Sequence, residues 1–142
     1  MFFLKKLKTI IMTRFVKMAN YASKQAEQST LKYQHGAILT KGSKILAAGY
    51  NKSRSKFLNT IQTCTHAEMD VILNYFNSIG LKQNIKKNHK LSKCILWVVR
   101  LSRDGKLTDS KPCCVCLNYL KNIGIKKIGY SNSNGDIIIS KT

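Results

Sequence analysis

Pro112-Cys113-Cys114-Val115-Cys116 contains the only proline in the chain, set directly before a cysteine pair at i and i+3. Proline presets φ for a helix's first turn and gives up an N–H that has no partner there. A helix opening here puts Cys113 and Cys116 on one face of its N-terminus. The dipole favours thiolates at that end, and thiolates are what zinc binds. Upstream, His66-Ala67-Glu68 offers His66 as a third donor, with Glu68 two residues beyond it. Three protein donors leave a fourth position open, which is a catalytic zinc layout. A closed structural site is the alternative, with Cys64, His66, Cys113 and Cys116 as four ligands. The helix-start context and the His-x-Glu spacing favour the open one.

The flanking pattern places these segments. Phe15, Met18, Ala19, Ala22 and Ala26 recur at helical spacing and predict a helix over Thr13–Gln28. His35–Thr40 and Lys44–Tyr50 are short apolar runs joined by Lys41-Gly42-Ser43, a predicted β-hairpin. Asn51–Cys64 is polar and basic and is expected to be a loop. His66–Asn77 reads as a helix with Met69, Ile72, Leu73 and Phe76 on one face. Gly80–Lys93 is rich in lysine and asparagine and is read as a connector. Cys94–Leu101 is a near-continuous apolar run, as expected of a central strand covered on both faces. Arg103–Ser110 reads as a loop, Cys113–Ile123 as a helix stopped by Gly124. Lys127–Ser131 and Asp136–Ser140 are strands around Asn132-Ser133-Asn134-Gly135. The order α-β-β-α-β-α-β-β predicts an α/β fold: a three-layer α/β/α sandwich around a mixed five-stranded sheet. Residues 12–142 form the expected single domain. Met1–Ile11, apolar and basic and followed by a second methionine, is read as an N-terminal extension too short in its apolar runs to span a bilayer.

The charge is the compositional outlier. Lys plus Arg number 25 against 6 Asp plus Glu, a formal net charge of +19, while 44% hydrophobic and 22% charged residues are ordinary for a globular chain. Such a field attracts phosphates, free or on a nucleic-acid strand. The excess of Lys over Arg, with abundant Ile and Asn, is also what codon bias in an AT-rich genome produces, and both readings stay open. The odd count of five cysteines argues against a disulfide framework and for a reducing, cytoplasmic location. Cys94 and Cys114 read as small hydrophobes, Trp97 as core, and His35 and His89 as ordinary histidines. Tyr50, Phe57 and Tyr130 are candidates for a base pocket, and Lys52, Arg54 and Lys56 for a phosphate contact.

The segments HGAIL (35–39), AGYN (48–51), HAE (66–68) and PCCVC (112–116) together resemble the cytidine deaminase-like superfamily from the first helix to the last strand. His-x-Glu followed by Pro-Cys-x-x-Cys is the signature of zinc nucleobase deaminases. The resemblance implies Zn²⁺ on His66, Cys113 and Cys116, with Glu68 carrying protons between water and the ring. It implies Asn51 at the sugar and the Ala67 N–H at the base's carbonyl edge. The activity it implies is hydrolytic deamination of a cytosine nucleoside or nucleotide to the uracil product with release of ammonia, by a homo-oligomer without a membrane span. Two alternatives accompany it: a base-editing deaminase of tRNA adenosine or single-stranded cytosine, and a non-catalytic zinc-stabilised nucleic-acid-binding domain. The histidine in HAE is typical of deoxycytidylate, tRNA and polynucleotide deaminases, whereas the short Asn132–Gly135 turn resembles the free-nucleoside branch.

Overall fold

The structure, a computed structural model, describes residues 2–57, 60–80 and 89–142, with the side chains of 2–4, 7–12, 54–57, 60–64 and 89 outside the description. The chain begins with helix α1 (Phe2–Ala26), then strands β1 (Gln34–Lys41) and β2 (Lys44–Tyr50). Next come β3 (Lys52–Phe57), β4 (Thr60–Thr65) and helix α2 (Ala67–Ser78). After a 3₁₀ turn at His89–Lys93 follow β5 (Cys94–Leu101), the short β6 (Leu107–Thr108), α3 (Cys114–Ile123), β7 (Lys127–Ser131) and β8 (Ile137–Lys141).

The main sheet runs β2-β1-β5-β7-β8, the expected five strands, with β6 added alongside the end of β5. Among the described strands only β5 and β7 pair in parallel, so the sheet is mixed. Their connection passes through α3, because parallel neighbours need a crossover. β7 and β8 form an antiparallel hairpin. Its turn is closed by Asn132, whose Oδ1 accepts the N–H groups of Asn134 (3.0 Å) and Asp136 (2.9 Å).

Strand alternation divides the core in two. Ala37, Leu39, Leu96, Val98 and Ile128 point to α2 and α3 and meet Val71, Ile72, Phe76 and Leu120. Ile38, Trp97 and Val99 point to α1 and meet Met18, Ala19 and Ala22. This is the three-layer sandwich. Trp97 is core as expected, with its indole N–H donating to Thr40 Oγ1 at 2.8 Å. Two glycines set how closely the helices approach. A Cβ on Gly36 would collide with the Ala22 carbonyl and Ala26 N of α1, and one on Gly49 would lie 2.6 Å from Val71 N of α2. The glycines of HGAIL and AGYN therefore serve helix-on-sheet packing.

Three expectations are corrected. Asn51–Cys64 is not a loop: β3 and β4 pair as an antiparallel two-stranded sheet. Its residues are mostly Lys, Ser, Arg, Gln and Thr, so no apolar alternation marks it, although threonine favours strands. Arg103–Ser110 includes β6, which pairs at Arg100 and Leu101. And α1 starts at Phe2, well before Thr13, because nothing between Phe2 and Thr13 breaks a helix. Among the described side chains of α1, fully buried positions begin at Met18. No described helix is long and apolar enough to cross a membrane.

Candidate metal centre and cleft

Two helix starts build the centre. His66 is the N-cap of α2, with extended backbone (φ −69°, ψ 153°) and no capping bond from its side chain. Cys113 is the N-cap of α3 (φ −67°, ψ 163°), and its Sγ accepts the Cys116 N–H at 3.5 Å. Each motif thus begins one residue before its helix, where a side chain projects beyond the first turn. Gly124, left-handed at φ 107°, ends α3 as expected.

His66, Cys113 and Cys116 converge. Their donor atoms all lie within 4.8 Å of one another, His66 Nδ1 standing 3.3 Å from Cys116 Sγ and 3.9 Å from Cys113 Sγ. Zinc at its usual bond lengths in a tetrahedral shell separates a nitrogen and a sulfur by about 3.6 Å. The two observed separations bracket that value, so one imidazole and two thiols fit zinc. Cys116 is buried whereas His66 and Cys113 are exposed, so the group opens outward. Burial pushes the Cys116 thiol up, with the nearby Glu68 charge adding to it. A divalent cation reverses that preference by stabilising the thiolate. Cys94 is buried in the core and Cys114 is exposed outside the group. The Cys64 side chain lies outside the described residues.

A cleft of about 490 Å³ opens beside the three donors. His66, Cys113, Ala67, Glu68 and Asn51 all border it, while Cys116 is buried. Glu68 is 4% exposed and stands outside the donor group. Burial raises its carboxyl above the usual range, opposed by its own backbone N–H and the His66 charge. Ala67 is the first residue of α2, and its N–H has no intrahelical partner.

Asn51 is more deeply engaged than its motif suggests. Its Nδ2 donates to the Tyr33 carbonyl at 2.6 Å and its Oδ1 accepts the His35 N–H at 2.9 Å. It staples the start of β1 to the end of β2, and so fixes the cleft wall that carries Tyr33 and His35. Asp70, buried on α2, holds the same junction: one oxygen accepts the Tyr50 N–H at 3.0 Å and the other pairs with Lys52 Nζ at 3.2 Å. Lys52 is thereby committed to Asp70. Arg54, Lys56, Phe57 and His89 fall among the undescribed side chains. Tyr130 packs on the core, and Tyr50 lies under the Lys52 ammonium at 4.6 Å, so neither is a cleft residue.

His35 borders the cleft, and its imidazole is held below its ordinary pKa, chiefly by burial and also by the Arg100 and His66 charges. On the far wall Ser110 is the anchor. Its hydroxyl donates to the Val98 carbonyl (2.9 Å) and accepts the Ser131 N–H (2.8 Å), while its own N–H bonds Ser131 O at 2.8 Å. These bonds tie the segment leading to Pro112-Cys113 onto β5 and β7. Sequence reading missed Ser110, Lys32 and Tyr33, which lie in stretches with no periodic signal.

The chain is similar to known proteins in sequence family and in fold. The family model described as the cytidine and deoxycytidylate deaminase zinc-binding region matches residues 10–132. The structure resembles cytidine deaminase from Burkholderia pseudomallei, with a TM-score of 0.61 and 17% identity over 88% of this chain and 90% of that one. It resembles the dCMP deaminase of cyanophage S-TIM5 with a TM-score of 0.53 and 23% identity, over 87% of this chain and 83% of that one. Cytidine deaminase from Mycobacterium leprae gives 0.54 and 13%, over 88% and 92%. At these identities the likenesses speak to fold. No curated protein sequence matches the chain. With the family model spanning both donor segments and the cleft between them, the chain belongs to the zinc-binding cytidine and deoxycytidylate deaminase family.

Proposed function

We propose that the protein hydrolyses the exocyclic C–N bond of a cytosine nucleoside or nucleotide, giving the uracil product and ammonia. The observation that carries this reading is Glu68. It is a buried carboxyl that borders the cleft beside His66 and Cys113 without belonging to the donor group. A carboxyl in that place, with its pKa raised by burial, is suited to carry protons for a reaction in the cleft.

His66, Cys113 and Cys116 would hold the ion. The chemistry a zinc ion would supply there is a bound water acidified to a pKa of about 7. Glu68 would take one proton from that water and deliver it to N3 of the ring. It would then carry the proton left on the added hydroxyl to the amine, which departs as ammonia as the C–N bond breaks. The Ala67 N–H, at the positive end of α2, meets the base carbonyl. Asn51 keeps one Nδ2 hydrogen and an Oδ1 lone pair for the sugar, its other capacity being committed to Tyr33 and His35.

The antiparallel β7–β8 hairpin supports a free substrate over a polymer. So does the pairing of Lys52 with Asp70, which withdraws one of the three cations offered as phosphate contacts. The test is ammonia release by the zinc-loaded chain from cytidine, deoxycytidine, their monophosphates, adenosine, and short RNA and DNA. Release from free cytosine substrates is the expected result. Release confined to strands, or from adenosine alone, contradicts the proposal.

A further inference from the structure

We propose that Lys32 and Lys111 form a phosphate subsite at the cleft mouth, so that the substrate is a nucleoside monophosphate. This rests on the deaminase reading and narrows it. Lys32, between α1 and β1, and Lys111, on the segment entering α3, border the same cleft from separate parts of the chain. Both are exposed, so their long side chains are free to turn inward. Neither is in an ion pair among the described residues. Glu68 is the single carboxylate among the cleft residues. Asp109, the acid nearest to Lys111 in sequence, accepts that residue's backbone N–H at 3.4 Å. Among the described residues the one ion pair is Lys52–Asp70, elsewhere in the fold.

A third cation stands behind this wall. The Arg100 guanidinium lies 4.6 Å from the centre of the Tyr33 ring, and Lys32 Nζ lies 5.4 Å from the same ring. Arg100 is half-buried, opposite His35 in the β1–β5 register, and its Nε is buried without a hydrogen-bond partner. Two charges at the mouth and one behind Tyr33 raise the local potential where a substrate's tail emerges. A neutral nucleoside gains little from them, whereas a phosphate gains charge-assisted hydrogen bonds. The cleft volume of about 490 Å³ is that of a small-ligand site.

The test uses the zinc-loaded full chain and two readouts. One is kcat/KM for cytidine, deoxycytidine, their 5′- and 3′-monophosphates and a short single strand. The other is the affinity for uridine and for UMP, which do not react. A monophosphate is expected to exceed its nucleoside about tenfold in both, through KM, as one or two partly exposed charged hydrogen bonds provide. The ratio should fall towards one in Lys32→Ala/Lys111→Ala and shrink with added salt. The surface pair Lys121→Ala/Lys127→Ala should leave it intact. Equal kcat/KM and equal product affinity with and without the phosphate overturn the subsite while leaving the deaminase reading in place. Faster turnover of the strand than of any monophosphate overturns it too. If UMP outbinds uridine through these lysines yet no cytosine substrate releases ammonia, the subsite stands and the deaminase reading falls.

Discussion

His66 Nδ1 lies 3.3 Å from Cys116 Sγ, although 50 positions separate the two residues in the chain. The contact exists because α2 and α3 pack on the same face of the sheet, with His66 and Cys113 at their starts. Donors at two helix starts need no long loop to reach each other. The expected consequence is that metal and fold are coupled, since a site absent from the unfolded chain contributes its binding energy to folding. His66→Ala and Cys116→Ser should each lose zinc and turnover together. Chelation of the wild type should lower its melting temperature. Elemental analysis alongside thermal melts checks this; full zinc content in either variant contradicts the assignment of donors.

Cys64→Ser should retain both zinc and turnover. The three-donor group already fits the metal, and its open side faces the cleft. Metal analysis of this variant separates the open layout from a closed four-ligand site. Loss of zinc would make Cys64 a ligand and leave no position for a reacting water.

Gly49→Ala should destabilise the fold by about 1–3 kcal/mol, the range of overpacked cores. Its new Cβ would lie 2.6 Å from Val71 N and 2.8 Å from Asp70 Oδ2. The strain bears on α2, which carries Ala67 and Glu68, so turnover should fall as well. Urea unfolding measures the first effect and steady-state kinetics the second. Unchanged stability would mean that α2 can retreat from β2 without cost.

Much of this was legible in the chain because it was encoded locally. Proline before Cys-x-x-Cys announces a helix start, His-x-Glu announces another, and the unbroken run Cys94–Leu101 announces a strand covered on both faces. What stayed hidden lacked a local period or depended on a distant partner. The β3–β4 pair carries no apolar alternation. Lys52 looked available for phosphate until the fold placed it 3.2 Å from Asp70. Asn51 was legible as a site residue, but its bonds to Tyr33 and His35 depend on β1 and β2 lying side by side.

The most direct test of the account is Glu68→Gln, measured for zinc content and for ammonia release on the same sample. Gln keeps the size of the side chain and its place in the buried cleft floor but cannot carry a proton. The account predicts zinc content equal to wild type and turnover of cytosine substrates reduced about 10²–10⁴-fold, the contribution typical of general acid–base catalysis. Loss of zinc would place Glu68 among the ligands, and turnover within a few-fold of wild type would remove it from the chemistry. Either result contradicts the account.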